Sequence, residues 1–229
     1  MLSDTTILLG TCDSFLRIAE VSVGLLDMFW PYHPPILAAC ERKVLSAASQ
    51  SVCYWTNNPK DWTKRMLVAC QHIQTRYVLM WLDDYLLIEP PNQDLLAAAW
   101  AAHENDGNIG RIDFNQCLPD GSEAYDRDDR FLKHPKWLWC MNTQAALWKR
   151  ESLLRVLKAL PGNDIWRFEL AAADMQNTGQ LDAYQLATKE RAMHYANLVA
   201  LGKLRSRGDL EVATRNGFLL TEADFPRGF

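Results

Sequence analysis

The sequence predicts an α/β fold: one domain with a mainly parallel central sheet and helices on both faces. Three observations carry that expectation. Apolar, β-prone runs alternate with segments of helical periodicity through the first half of the chain, the order that builds strand–helix–strand units. The run Tyr77-Val78-Leu79-Met80-Trp81-Leu82 is apolar without a break, as a strand buried on both faces is. No Pro/Gly/Ser-rich linker or internal repeat divides the 229 residues, and a chain of that length buries roughly 70% of its unfolded surface, enough for one core. Residues 1–229 therefore read as a single domain.

Each element follows from its residues. Thr5–Gly10 is a short strand that ends in the polar turn Gly10-Thr11-Cys12-Asp13. Ile18–Phe29 has helical spacing and is stopped by Pro31, Pro34 and Pro35. Ile36–Cys40 and Val52–Trp55 are the next strands. Asp61 caps a helix that places Trp62, Met66, Ala69, Cys70 and Ile73 on one face. Tyr77–Leu82 ends abruptly at Asp83-Asp84. Asp94–Asn105 is a helix capped by Asp94 and closed near Gly107, and Ile109–Phe114 is a strand. Leu118–Lys136 is polar and reads as a long loop of the kind that is usually functional or mobile. Trp137–Met141 reads as a strand. Lys149–Leu160 is a helix broken by Pro161-Gly162, and Asp164 caps another from Ile165 to about Met175. Beyond Gly179 the pattern does not separate helix from strand.

Composition removes several classes. With 48% hydrophobic and 23% charged residues, the chain is too apolar for disorder. A net charge of −4 argues against a broad basic surface, so no nucleic acid partner is expected. No apolar run approaches the ~18 residues of a membrane span. Met1-Leu2-Ser3-Asp4 lacks a basic leader, so a cytoplasmic protein is expected. The six cysteines (Cys12, Cys40, Cys53, Cys70, Cys117 and Cys140) form no Cys-x-x-Cys pair and read as reduced, mostly buried thiols. Gly-x-Gly-x-x-Gly, the P-loop and Gly-x-Ser-x-Gly are all absent, which disfavours classical NAD enzymes, P-loop kinases and α/β-hydrolases. The five histidines show no His-Glu-x-x-His pattern.

Open parallel sheets bind ligands at the carboxyl ends of their strands. Here those ends supply Thr11 and Asp13 after the first strand and Asp83 and Asp84 after Tyr77–Leu82. Two acids closing a buried strand are costly unless they reach solvent, a turn or a cation. Hard cations such as Mg²⁺ and Mn²⁺ take carboxylate oxygens and share a phosphate partner. The alternative is that both acids cap the following turn.

Three stretches, in this order, resemble GT-A-type glycosyltransferases that use nucleotide-sugar donors, and more narrowly bacterial enzymes of surface-polysaccharide synthesis. They are Gly10–Asp13, Trp62–Leu87 with its Asp83-Asp84, and Asn142–Arg150 followed by Asp164–Glu169. The acidic motif is Asp-Asp followed by Tyr85, not a clear Asp-x-Asp.

The resemblance implies a GT-A-like, Rossmann-like domain, with residues 1–115 as the nucleotide-donor half and 116–229 as the acceptor half and C-terminal closing segment. It implies donor contacts from Thr11, Asp13, Arg17, Asp83 and Asp84. It also implies a segment, Tyr195–Lys203, that closes over the diphosphate with Lys203 as counter-charge. Asp84 and His194 are the candidate ligands of a divalent cation, Mn²⁺ or Mg²⁺. Trp166 and Gln144 are the acceptor-side candidates. Glu169 shares a helix face with Trp166 and is the candidate general base, with Asp126, Asp128 and Asp129 as rivals.

The expected partners are a nucleoside diphosphate sugar and a glycan or lipid-linked acceptor, placing the protein in the cytoplasm or peripherally at the inner membrane. The expected reaction is direct displacement with inversion. Two other readings stay open: a metal-dependent nucleotidyltransferase that makes an activated sugar, and a non-catalytic sugar- or nucleotide-binding protein. The first needs a basic triphosphate loop after the first strand, where only Arg17 is available.

Overall fold

The structure, a computed structural model, describes residues 4–45, 52–54, 61–115, 118, 122–181, 183–200 and 203–225. Of the sequence expectations, the strand end at Trp55, Cys117, and Leu201-Gly202 of the closing segment lie outside the described residues.

The main sheet begins with β1 (Thr5–Gly10), β2 (Ile36–Ala39), β3 (Val52–Tyr54) and β4 (Tyr77–Leu82). It continues through β6 (Ile109–Asp113), β7 (Phe131–Lys133), β8 (Ala146–Lys149) and β9 (Tyr184–Thr188). Their order is β3-β2-β1-β4-β8-β6-β9-β7. The β1–β2, β1–β4, β2–β3 and β6–β9 pairs are parallel, whereas β8 runs antiparallel between β4 and β6 and β7 antiparallel beside β9. A mixed, mostly parallel sheet of this kind is the Rossmann-like arrangement that the alternating pattern predicts.

Helices cover both faces because β1 and β4 are apolar on both. On one face lie α1 (Leu16–Phe29) and α3 (Gln93–Asn105). Trp81 of β4 donates its indole N–H to Ser22 of α1 at 2.9 Å, and Trp100 of α3 donates to Thr5 of β1 at 2.7 Å. On the other lie α2 (Trp62–His72), α4 (Arg150–Ala159) and α5 (Ile165–Asn177), with Trp62 of α2 against Phe168 of α5 at 5.0 Å between ring centroids. A Cβ on Gly10 would come within 3.1 Å of Met66, so α2 seats closely over the end of β1.

Two small ribbons complete the fold. β5 (Tyr85–Leu87) pairs antiparallel with β10 (Tyr195–Asn197), and β11 (Val199–Ala200) with β12 (Lys203–Leu204). The last helix, α6 (Arg207–Arg215), and the residues after it pack on α1, where Phe218 approaches Gly24 so closely that a Cβ there would meet the ring at 2.5 Å. Leu86, Leu198, Ala213, Leu220 and Phe225 form a small second core with Ile18, Val21 and Leu25 of α1. Among the described residues no helix is long and apolar enough to cross a membrane.

Several boundaries differ from the sequence reading. Trp137–Met141 is a turn, and the strand is β8, nine residues later in the chain by its first residue. The turn satisfies its backbone with side chains instead of a neighbouring strand: Asn177 donates to the Trp137 carbonyl and Arg111 to that of Cys140. The α3 cap is Asn92, whose side chain accepts from the Asp94 and Leu95 amides, so Asp94 lies in the first turn. The polar stretch 118–136 contains β7, a three-residue strand too short to show periodicity. Cys12, Cys40, Cys70 and Cys140 are free thiols; burial lifts those of Cys12 and Cys70 to about 12, leaving them protonated.

Candidate active site

A cavity of about 790 Å³ opens at the carboxyl end of β4. Its walls come chiefly from Asp84 and Tyr85, the turn Asn142–Gln144, Trp166 and Glu169 of α5, and Arg191, Tyr195–Asn197, Val199 and Arg205 from the C-terminal part of the chain. Sequence neighbours do not make this site; the sheet crossovers do.

Asp83 and Asp84 divide their tasks. The Asp83 amide extends the β1–β4 pairing by donating to the Gly10 carbonyl at 3.2 Å. Its side chain is turned toward Thr11 and Cys12, just past the end of β1. Burial and the neighbouring charge of Asp84 push the Asp83 carboxyl well above the ordinary range, against the Thr11 hydroxyl and Cys12 amide. Asp84 faces the cavity. Val199 donates its amide to Asp84 Oδ2 at 3.2 Å, and Leu198 donates to the Asp84 carbonyl at 3.0 Å. With the amide orientation that satisfies its neighbours, Asn197 adds Nδ2–H to Oδ2 at 2.6 Å. Burial lifts the Asp84 carboxyl to about 7, the Val199 amide opposing it.

Glu169 enters from α5, whose start is fixed by the Asp164 cap on the Arg167 amide at 2.9 Å. The carboxyl is only 6% exposed. Its Oε1 accepts from the Thr143 amide and the Thr143 hydroxyl, both at 2.6 Å. Burial raises it above the ordinary range, while the two Thr143 donors and the Arg111 charge pull it down.

Gln144 also lines the cavity, with its Oε1 held by Asn115 Nδ2 at 2.8 Å and by the Tyr195 hydroxyl at 2.7 Å. Its Nε2 donors are what remain for a ligand. Trp166 is 48% exposed and Trp139 37%, two indoles on the lining of a cavity of mixed polarity. Arg191 and Arg205 bring positive charge to the same wall.

Other sequence candidates sit elsewhere. Asp13 accepts from the Arg42 and Lys43 amides at 3.0 Å each and from Arg42 Nε at 2.8 Å. Burial raises its carboxyl, but these donors together lower it more, so it stays below the ordinary range. Arg17 pairs with Glu20 at 3.2 Å on α1, and Lys203 is exposed on β12; neither borders the cavity. Thr11 is buried and supports Asp83. His194 pairs with Glu89 at 3.2 Å in a second depression of about 680 Å³ that shares only Arg191 with the first. It lies at the opposite end of the β5–β10 ribbon from Asp84. Asp126 and Asp128, the rival bases, are engaged with Lys133 and Arg130.

Among the described residues no group of three His, Cys, Asp or Glu side chains is placed to hold a metal ion. Mg²⁺ is commonly held by one or two carboxylates and substrate phosphates. Of the candidate ligands Asp84 and His194 only Asp84 borders this cavity, so the described residues place the two apart and form no preformed cage.

Sequence reasoning passed over Asn142, Thr143, Tyr195, Asn197 and Arg191 as site residues. Four of them lie in or beside stretches with a strand-end or family-like signal; Arg191 carries no local signal.

No protein-family model and no curated protein matches the sequence. Solved structures do. A UDP-glucose pyrophosphorylase complexed with UDP-glucose aligns over 94% of this chain and 98% of its own at 8% identity and a TM-score of 0.58. Residues 1–349 of S. aureus TarS in complex with UDP-GlcNAc align over 96% and 68% at 12% identity and a TM-score of 0.55. At such identities the likeness establishes the fold alone, a Rossmann-like α/β domain.

Proposed function

We propose that this chain is an enzyme that acts on a nucleoside diphosphate sugar and transfers its sugar to an acceptor hydroxyl. The observation that carries the reading is the pair Asp84 and Glu169: two buried carboxylates from distant parts of the chain on the wall of one cavity. The two similar structures hold UDP-glucose and UDP-GlcNAc, which supports a nucleotide-sugar donor on this fold.

In this reading the donor diphosphate lies between Asp84 and the guanidinium groups of Arg191 and Arg205, which offset its charge. A divalent cation bound at Asp84 would supply further charge neutralisation. Trp139 and Trp166 give the acceptor apolar faces, and Gln144 offers its Nε2 donors to an oxygen of the substrate. Glu169 takes the proton of the acceptor hydroxyl as the oxygen bonds to the anomeric carbon. The bond from that carbon to the diphosphate breaks, and its electron pair leaves with the nucleotide. Burial raises the basicity of Glu169, and the two Thr143 donors fix the carboxylate in place to accept that proton.

A second reading, nucleotidyl transfer that makes an activated sugar, is favoured by the nearly full-length match to the pyrophosphorylase. Against it stands the β1–α1 connection. Residues Thr11–Phe15 contain no Lys or Arg, Arg17 is tied to Glu20 and Arg42 to Asp13, which leaves a triphosphate little counter-charge at that strand end.

One assay separates the two. UDP-, GDP-, CDP- and dTDP-sugars are incubated with simple sugar acceptors, with Mn²⁺ and with EDTA, and nucleoside diphosphate release is followed. Parallel reactions receive the nucleoside triphosphates and sugar 1-phosphates, and pyrophosphate is followed. Acceptor-stimulated diphosphate release is expected; pyrophosphate formation alone would replace sugar transfer by the second reading.

A further inference from the structure

Beneath the cavity, Arg111 is completely buried on β6. A buried guanidinium must be paired and hydrogen-bonded, or its desolvation is prohibitive. Its partners are unusual for a structural ion pair. One is a charge, Asp113, with Nη2 to Oδ2 at 3.0 Å. The rest belong to one turn: Nη1 donates to the Cys140 carbonyl at 3.4 Å, and Nη2 to the Asn142 carbonyl at 3.0 Å and Asn142 Oδ1 at 2.8 Å. The guanidinium also lies over the Trp148 ring of β8 at 5.5 Å.

That turn is the wall of the site. Asn142 Oδ1 also accepts from the Gln144 amide at 3.1 Å, and the next residue, Thr143, supplies both donors to Glu169. The turn has no strand partner, so side chains fix it. Only a planar fork reaches three oxygens of one turn at once; a lysine is a point charge on a flexible stem.

We propose that Arg111 is the positioning residue of the site: it holds the 140–144 turn in the one geometry that presents the Thr143 donors to Glu169 and Gln144 to the substrate. It touches no substrate itself. Its bearing on catalysis rests on the reading of Glu169 as the base, whereas the tests below need no nucleotide sugar and so stand or fall separately. A misplacement on the order of 1 Å at a reacting group costs about 10²-fold in rate, so one buried fork is enough to matter.

The test uses the full chain. The Glu169 carboxyl is titrated by ¹³C NMR, assigned by its loss in Glu169→Gln, and Thr143 and Gln144 amide exchange is measured. Besides Arg111, whose charge acts on Glu169, the titratable and charged groups that line the cavity with it are Asp84, Tyr85, Tyr195, Arg191 and Arg205, so each variant is compared at one ionic strength. In Arg111→Met, amide exchange is expected to quicken at least about tenfold and the Glu169 midpoint to rise, since a favourable charge and ordered donors are both lost. Arg111→Lys should recover most of the midpoint but not the slow exchange, because it restores charge without the fork.

Arg111→Met removes the charge partner of Asp113, so Asn142→Ala serves as a second variant that keeps the ion pair; because it also removes the acceptor of the Gln144 amide and a donor to the Trp139 carbonyl, only Thr143 exchange is read in it. Faster Thr143 exchange in Asn142→Ala supports the proposal. Wild-type exchange in Asn142→Ala, or a folded Arg111→Met with both readouts unchanged, overturns it.

Discussion

Thr143 donates twice to the same oxygen of Glu169, from its backbone nitrogen and from its hydroxyl, each at 2.6 Å. Donors to a carboxylate favour the ionised form, which is the form a base needs. Thr143→Val removes one donor with little change in volume. The Glu169 pKa is then expected to rise, and the acid limb of the kcat–pH profile to move to higher pH. Glu169→Gln should lower kcat at least about 10²-fold while UDP affinity, read by calorimetry, holds. An unmoved acid limb together with intact Glu169→Gln turnover removes Glu169 from proton transfer.

Asp84 and stability are linked through pH. Its folded pKa is raised from 3.8 to about 7, so the folded chain binds that proton more tightly than the unfolded chain. The stabilising contribution is complete below the unfolded value and is lost as pH rises through about 7. Asp83 shifts in the same direction. In urea unfolding without ligand or metal, Asp84→Asn is expected to be more stable than the wild type at pH 8, with the gap closing toward pH 4. A gap independent of pH would show that the carboxyl is not held protonated by burial.

The two cavity indoles give a kinetic prediction. If Trp139 and Trp166 hold the acceptor, Trp139→Ala and Trp166→Ala each raise the acceptor KM, by about tenfold for a lost aromatic contact of ~1.4 kcal/mol. Donor KM should move far less. Steady-state kinetics with each substrate varied in turn makes the distinction, and equal effects on both substrates would place the indoles at the donor.

Asp13 ties two strand ends together. Its carboxylate accepts from the backbone of Arg42 and Lys43, residues just after β2, while its own amide donates to Glu41 at 3.0 Å. Asp13→Ala is expected to cost about 1 kcal/mol for the lost hydrogen bonds. Urea unfolding at pH 7 measures it; a variant as stable as the wild type would mean that water replaces the carboxylate at no cost.

Where the signal was local, the sequence was readable. Asp61 and Asp164 cap their helices because an acidic side chain before an amphipathic run satisfies the first free amides, whatever the rest of the chain does. Asn92 took the place of Asp94 because caps two residues apart differ only in where the preceding chain arrives. Trp137–Met141 looks like a strand by composition. Besides the bonds within the turn, its carbonyls accept from Arg111, 29 residues earlier in the chain, and from Asn177, 40 later, and no local window of sequence contains those two.

The sequence by itself determined the alternation of strands and helices, the breaks between them and the placing of acids at the end of β4. Those follow from periodicity, capping and the cost of burying charge, which act within a few residues. Only the tertiary structure decided that Asp84, not Asp83, faces the cavity, that Glu169 joins it, and that Asp13, Arg17 and Lys203 lie off its wall. The β4–β8–β6 crossover and the antiparallel pairing of β5 with β10 bring those segments together from up to 115 residues apart. Such contacts are selected by the packing of the whole core, so the sequence specifies them only through the fold.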